Sequence, residues 1–358
     1  MSRDDIHRGL SRALTGQWTL TRSFDVLRHV PMVVLSDQHK GAGDQADEFR
    51  GNEHAYAGAL RHYADAGFTL ILLGDVEELW ENDFREVARR HASSLTAEAA
   101  FGPSRYLRLW GNHDDRWNLD AVMARELGPH IPRAPEAGGR RVWEAIRFGV
   151  ASGDTRLGTL LLLHGHQGTF ASDKIRGVSR LALRVYRLLQ NAFGICWFGG
   201  CTTPAADVCL RGEHDRHLYE WAVAQPGTIL IAGHTHRPVW AGQTHLQQLE
   251  LARADLQVRR AGGEPVPPTL MREVEDRIAQ QQREVGSCND VPATRPAYFN
   301  SGCCKFQDGD ITALEIEDGD LRLVRWKTPV GQPSPTPYRT VLEQAPLEFL
   351  FRSHGTAG

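Results

Sequence analysis

Cysteine is scarce in this chain: 6 of 358 residues, Cys196, Cys201, Cys209, Cys288, Cys303 and Cys304, with no Cys-x-x-Cys pair and no regular ladder. That spacing does not point to a disulfide framework, and with no export signal evident it predicts reduced thiols in a cytoplasmic protein. Cys303 and Cys304 are adjacent and are expected on opposite faces of a strand, with no chemistry assigned to them. A charge of one sign is also lacking. Lys and Arg number 41 against 44 Asp and Glu, a formal net charge of -3. A nucleic-acid partner, whose footprint is a clearly basic domain, is therefore not expected. No apolar run approaches the length of a membrane span, and the opening Met-Ser-Arg-Asp-Asp-Ile-His carries no secretory signal. No internal repeat is present. The length allows one large domain or two smaller ones.

Five short apolar runs are present, and each ends in residues that bind metals. They are Pro-Met-Val-Val-Leu-Ser-Asp37-Gln-His39, Phe-Thr-Leu-Ile-Leu-Leu-Gly-Asp75, Tyr-Leu-Arg-Leu-Trp-Gly-Asn112-His113-Asp114, Leu-Leu-Leu-Leu-His164-Gly-His166 and Thr-Ile-Leu-Ile-Ala-Gly-His234-Thr-His236. Continuous apolar runs bounded by Gly and polar residues read as buried strands. Ligands of layered α/β folds bind at the carboxyl ends of strands. Carboxylate, imidazole and amide oxygen together suit Zn, Mn and Fe.

Between the runs, residues 53–67 predict a helix closed by Gly67, which makes a strand–helix–strand unit with the runs on either side. A longer helix is expected over 78–100, and a hairpin turns at Gly153-Asp154. The stretch Asp173–Gln190 is amphipathic, with Arg176, Arg180, Arg184 and Arg187 on one side. His214 and His217 lie three apart on an expected helix, where a solvated face is the simpler reading. Thr269 is placed to cap a helix through Val285 with a thin apolar face. Strands return at Ala297–Asn300, Ile311–Ile316 and Leu321–Trp326, with Asp318-Gly319 as a hairpin turn.

Taken in order, Asp37-x-His39, Gly74-Asp75, Gly111-Asn112-His113-Asp114, His164 and Gly233-His234-x-His236 resemble the motifs of calcineurin-like metallophosphoesterases. The resemblance implies an α/β (α+β) fold, a β-sandwich flanked by helices in αββα layers. It divides the chain into a helical lead-in over 1–30, a catalytic domain over 31–326 and a C-terminal arm over 327–358. Within the catalytic domain, 171–222 is a helical lid insertion and 243–292 a variable insertion. It implies two divalent ions, Mn first and Fe or Zn as alternatives. Asp37, His39 and His236 would hold one ion, Asn112, His164 and His234 the other, and Asp75 would bridge. His113 would donate to the phosphoryl or leaving-group oxygen, and Asp114 would orient it and raise its pKa. Arg116, His166, Arg176 and Arg180 are candidate substrate contacts.

Gly74-Asp75-Val-Glu-Glu-Leu-Trp80, the inserted segment after His164 and Tyr-Phe-Asn300-Ser-Gly look like the branch containing UDP-2,3-diacylglucosamine hydrolases. That branch cleaves the pyrophosphate of a lipid-bearing nucleotide sugar under a lid. This chain departs from the lipid A pathway enzymes at two positions: His113 replaces an Arg and His166 an Asp. The expected activity is hydrolysis of a phosphodiester or pyrophosphate by metal-activated water, with a phosphate-ester substrate as the partner, lipid-linked if the lid reading holds. Membrane contact is at most peripheral, at the inner face. The alternatives are a phosphomonoesterase acting on proteins or nucleotides, or a non-catalytic scaffold on the same fold.

Overall fold

The computed structural model describes residues 2–133, 140–168, 208–262, 266–285, 295–306, 308–329 and 336–355. The fold is mixed α/β, with two mixed sheets and flanking helices. In chain order the first half comprises α1 (Arg3–Thr15), β1 (Thr19–Asp25), β2 (Met32–Leu35), α2 (Glu53–Asp65), β3 (Thr69–Leu72), α3 (Phe84–Arg90), α4 (Ala92–Ala99), β4 (Tyr106–Arg108), α5 (Asp120–Glu126), β5 (Ala145–Ser152) and β6 (Thr155–Leu163). The second half comprises α6 (Val208–Val223), β7 (Thr228–Ala232), β8 (Pro238–Trp240), β9 (Gln243–Thr244), α7 (His245–Ala261), α8 (Pro268–Val285), β10 (Tyr298–Ser301), β11 (Ile311–Glu317), β12 (Asp320–Lys327), β13 (Tyr338–Pro346) and α9 (Leu347–His354). One sheet runs β1-β5-β6-β7-β10-β8-β9 and the other β13-β12-β11-β2-β3-β4.

Strand alternation sorts the core. Val33 and Leu35 join a cluster with α2, α3 and α4, whereas Met32 and Val34 join one that draws residues from both sheets. A third cluster seats Ile6, Leu10 and Ala13 of α1 and Leu218 and Trp221 of α6 against Leu161 and Leu230. Two parallel sets bear on function: β2-β3-β4 in one sheet and β6-β7-β10 in the other. Each set delivers its carboxyl ends to one edge of its sheet. Among the described residues, no helix is long and apolar enough to cross a membrane.

The strand–helix–strand unit and the hairpin at Gly153-Asp154 form as expected. Several other expectations are corrected. The lead-in over 1–30 is only half helical, because Thr19–Asp25 pairs in parallel with β5. The helix over 78–100 is two helices that break at His91, whose ring is held by Asp47 and Glu53. The 243–292 insertion holds a helical hairpin: Leu249 and Leu256 of α7 bury Val274 and Ile278 of α8, so its thin face meets its own neighbour. The arm after Trp326 is a sheet strand followed by a helix. β13 pairs along β12, and Leu347, Leu350 and Phe351 enter the cluster shared by the two sheets. The amphipathic Asp173–Gln190 stretch, with Arg176 and Arg180, lies outside the described residues, as does the lid insertion up to Val208.

Candidate metal centre

The loops that follow β2, β3 and β7 turn sharply at the candidate ligands. Asp37, His39, Asp75, His234 and His236 all have positive φ, between 48° and 70°. Side chains with a Cβ rarely adopt this conformation, and it costs on the order of 1–3 kcal/mol per residue. The adjacent glycines explain how the loops come so close. A Cβ on Gly74 would lie 2.6 Å from the Trp110 carbonyl carbon, and one on Gly233 2.6 Å from Asp37 Oδ2. Only glycine fits these two contacts, which join the loops after β3 and β4 and the loops after β7 and β2. The loops after β2 and β3 also run side by side, with the His39 N–H on the Asp75 carbonyl at 2.9 Å and the Lys40 N–H on the Val76 carbonyl at 3.0 Å.

Each of the two aspartates has one oxygen bonded to a backbone N–H and the other facing imidazole nitrogens. Asp37 Oδ2 accepts the His234 N–H at 2.9 Å, while Oδ1 lies 3.1 Å from His236 Nε2 and 3.8 Å from His39 Nε2. Asp75 Oδ1 accepts the His113 N–H at 2.8 Å, and its Oδ2 lies 3.6 Å from His39 Nε2 and 3.1 Å from His164 Nε2. Three groups can each hold a cation, with all donor atoms of a group within 4.8 Å of one another: Asp37, His39 and His236; Asp75, His164 and His234; and His39, Asp75 and His113. Asp37 Oδ1, His39 Nε2, Asn112 Oδ1, His164 Nε2 and His234 Nε2 are buried and accept or donate no hydrogen bond among the described residues. Buried polar atoms normally find partners, so five unsatisfied donors converging from two sheets fit bound cations. Of the sequence-predicted ligands, Asp37, His39, Asp75, His164, His234 and His236 are thus brought together, with Asp75 between the two sets, and Asn112 is buried with an unsatisfied Oδ1.

The site's electrostatics favour positive charge. Burial opposes ionisation of Asp37 and Asp75, but the surrounding histidines outweigh it and hold both well below the usual carboxylate range. Burial likewise opposes charge on His164, yet Asp75 and Asp37 lift it to about 9. His234 and His236 are held neutral, chiefly by burial, the latter at about 3.

His113 and Asp114 part company here. Asp114 accepts the backbone N–H of Gly111 at 2.6 Å, of Val76 at 3.0 Å and of Asp75 at 3.3 Å, and Arg108 approaches it at 3.4 Å. It braces the loops and does not orient His113. Glu78 takes that part, with Oε2 2.6 Å from His113 Nδ1 and 2.9 Å from His39 Nδ1. The Trp80 ring stacks on His113 at 4.0 Å and 20°. Burial lowers the His113 pKa, but Glu78 and then Asp75 overcome it and lift the imidazole to about 9. Neither Glu78 nor Trp80 was assigned from sequence. The available signal was a glutamate pair two and three residues after the candidate ligand Asp75, with Glu77 directed inward to Arg108 and Trp117.

The other candidates divide. His166 is buried with its ring 5.3 Å from that of His164. Arg116 is tied to Glu126 at 2.6 Å and lies over Trp117, a structural engagement in place of the expected substrate contact. His214 and His217 are buried and not solvated. His214 Nε2 donates to the Gly165 carbonyl at 2.7 Å, and its ring is 5.1 Å from His234. Asn300 Nδ2 donates to the Gly233 carbonyl at 2.7 Å and fixes the loop that carries His234 and His236.

No protein-family model matches this chain, and no curated protein matches it.

Proposed function

We propose that this chain is a dinuclear metal-dependent phosphoesterase of the calcineurin-like type that hydrolyses a phosphodiester or pyrophosphate bond. The observation that carries the reading is Asp75 Oδ2 lying between His39 Nε2 at 3.6 Å and His164 Nε2 at 3.1 Å, with a separate donor set on either side. A carboxylate so placed suits a bridge between paired ions. On this reading the two sheets and their helices are the αββα layers of that family. Asp37, His39 and His236 would hold one ion, and Asn112, His164 and His234 the other. When bound, two divalent cations, Mn in the first instance, supply Lewis-acid charge at the phosphoryl group and acidify a nucleophilic water.

The chain's own residues do the rest. Glu78 forms an ion pair with His113 at Nδ1, and Trp80 stacks on its ring. With its pKa near 9, His113 is an imidazolium at neutral pH, able to donate a hydrogen bond or proton to the phosphoryl or leaving-group oxygen. Asp114 holds the backbone of both ligand loops in register, so the aspartate and asparagine donors need little reorganisation.

The test is hydrolysis of bis(p-nitrophenyl) phosphate against p-nitrophenyl phosphate by the Mn-loaded protein, with Asp75→Asn as the blank. Diester turnover that vanishes in the blank is expected. Monoester turnover alone would replace the reading with a phosphomonoesterase. Silence on both with metal bound would favour a scaffold.

A further inference from the structure

Helix α6 precedes β7, and its buried face changes character along its length. Leu218, Trp221 and Ala222 pack with Leu161 and Leu163 of β6 and with Leu230 and Ala232 of β7. His214 and Asp215 stand four and three residues before Leu218, so they continue the same face by one turn. Both are buried. A helix that joins two parallel strands runs back along them, which brings its first turns toward their carboxyl ends. The polar pair therefore meets the two His-x-His turns that follow β6 and β7, His164–His166 and His234–His236.

Each contact falls on the middle residue of a turn. His214 Nε2 donates to the Gly165 carbonyl at 2.7 Å. Asp215 Oδ1 accepts the Thr235 hydroxyl at 2.9 Å and the Tyr298 hydroxyl of β10 at 2.7 Å. Asn300 joins the same network, with Nδ2 3.1 Å from Thr235 Oγ1 and 2.9 Å from the Tyr298 hydroxyl. The Gly233 N–H donates to the His164 carbonyl at 2.9 Å and ties the two turns to each other. The His214 ring also lies edge-on to that of His234, with centroids 5.1 Å apart and planes at 68°. Holding the middle residue fixes the backbone of a turn without occupying the imidazole on either side. Buried polar groups on a helix face are costly unless their bonds are made, and here they are made to the ligand turns.

We propose that His214 and Asp215 are positioning residues for the candidate metal centre, one turn of α6 clamping both His-x-His turns. His214 acts on His164 and His234, and Asp215 acts through Thr235 on His234 and His236. The proposal rests on the dinuclear reading for the ions and on these contacts alone for the clamp.

Metal uptake tests it first. Metal-free protein is dialysed stepwise against Mn, and the two binding steps are compared across variants. His214→Phe keeps a ring and removes the donor. It should weaken one step about tenfold or more, as for loss of a group that holds a ligand, and leave the other within about twofold. His214→Gln places an N–H near the position of Nε2 and should keep most of the affinity. Thr235→Val removes the hydroxyl from a turn that serves both ions and should weaken both steps, whereas Thr235→Ser should not. Asp215→Leu should match Thr235→Val, and Asp215→Asn, which keeps an accepting oxygen, should match Thr235→Ser. If Asp215→Leu does not fold, the Thr235 pair carries that arm. Wild-type affinities in His214→Phe and Thr235→Val overturn the proposal. Equal weakening of both steps by His214→Phe also overturns it, because a general loosening of the fold would do the same.

A second arm needs no metal. Amide hydrogen exchange of the metal-free protein should quicken about tenfold at residues 164–167 in His214→Phe and at 233–236 in Thr235→Val, with β2 and β3 unchanged. Unchanged exchange at both turns, or equal quickening throughout both sheets, counts against the clamp. If the wild type takes up fewer than two Mn, the dinuclear reading fails, while exchange at the turns still decides the clamp.

Discussion

At the scale of single residues, the centre depends on how each polar group divides its two ends. Asp37 and Asp75 each give one oxygen to a backbone N–H and turn the other toward an imidazole nitrogen. Glu78 spans two imidazoles through one oxygen, which makes it the residue that couples a candidate ligand, His39, to the candidate acid, His113. Glu78→Gln is nearly isosteric but removes the charge that holds His113 protonated. We expect it to lower kcat about 10–100-fold, the usual effect of losing a group that orients a ligand, with moderately weaker Mn retention because His39 also loses its support. His113→Ala should lower kcat severely and keep its metal. Steady-state kinetics with Mn content per chain checks both. A neutral Glu78→Gln beside an Asp114→Asn that lost turnover but kept metal would return the orienting part to Asp114.

At the scale of elements, the C-terminal strand and helix act as a fastening between the sheets. Arg339 of β13 reaches Glu315 of β11, which also accepts the Tyr63 hydroxyl at 2.5 Å. Phe351 is fully buried among residues of both sheets. Phe351→Ala should therefore destabilise the fold by about 3–5 kcal/mol. Chemical denaturation reads this directly, and a change below about 1 kcal/mol would mean the tail is dispensable. This is also where the sequence was least legible. Ligand strands announce themselves, because a buried parallel strand is a continuous apolar run and its ligand follows at once. β13 alternates exposed and half-buried positions at a sheet edge, so Tyr338–Pro346 carries no such run and reads as an arm. β1 is illegible for the same reason, with only Leu20 and Phe24 buried along it. The helical hairpin of α7 and α8 is hidden differently: its small core forms only when two thin faces meet. The exchange of Asp114 for Glu78 lies beyond sequence too, because it depends on how the loops after β3 and β4 cross. That crossing is fixed by contacts between Gly74 and Gly111.

At the scale of the whole molecule, the candidate ligands come from two sheets. Asp37, Asp75 and Asn112 follow strands of one sheet, and His164, His234 and His236 follow strands of the other. Bound ions would then tie the sheets together at one edge, while the shared apolar cluster and α9 hold them elsewhere. The positive φ values at Asp37, His39, Asp75, His234 and His236 are a local cost that ligation would offset. The central claim, a paired-ion site bridged by Asp75, is tested most directly by counting ions. Metal-free protein is titrated with Mn, and bound metal per chain is read by equilibrium dialysis for wild type and Asp75→Asn. The account predicts two Mn per chain in the wild type and a clear loss of occupancy in Asp75→Asn, with folding retained in both. A single Mn in the wild type, or full occupancy in Asp75→Asn, would contradict it.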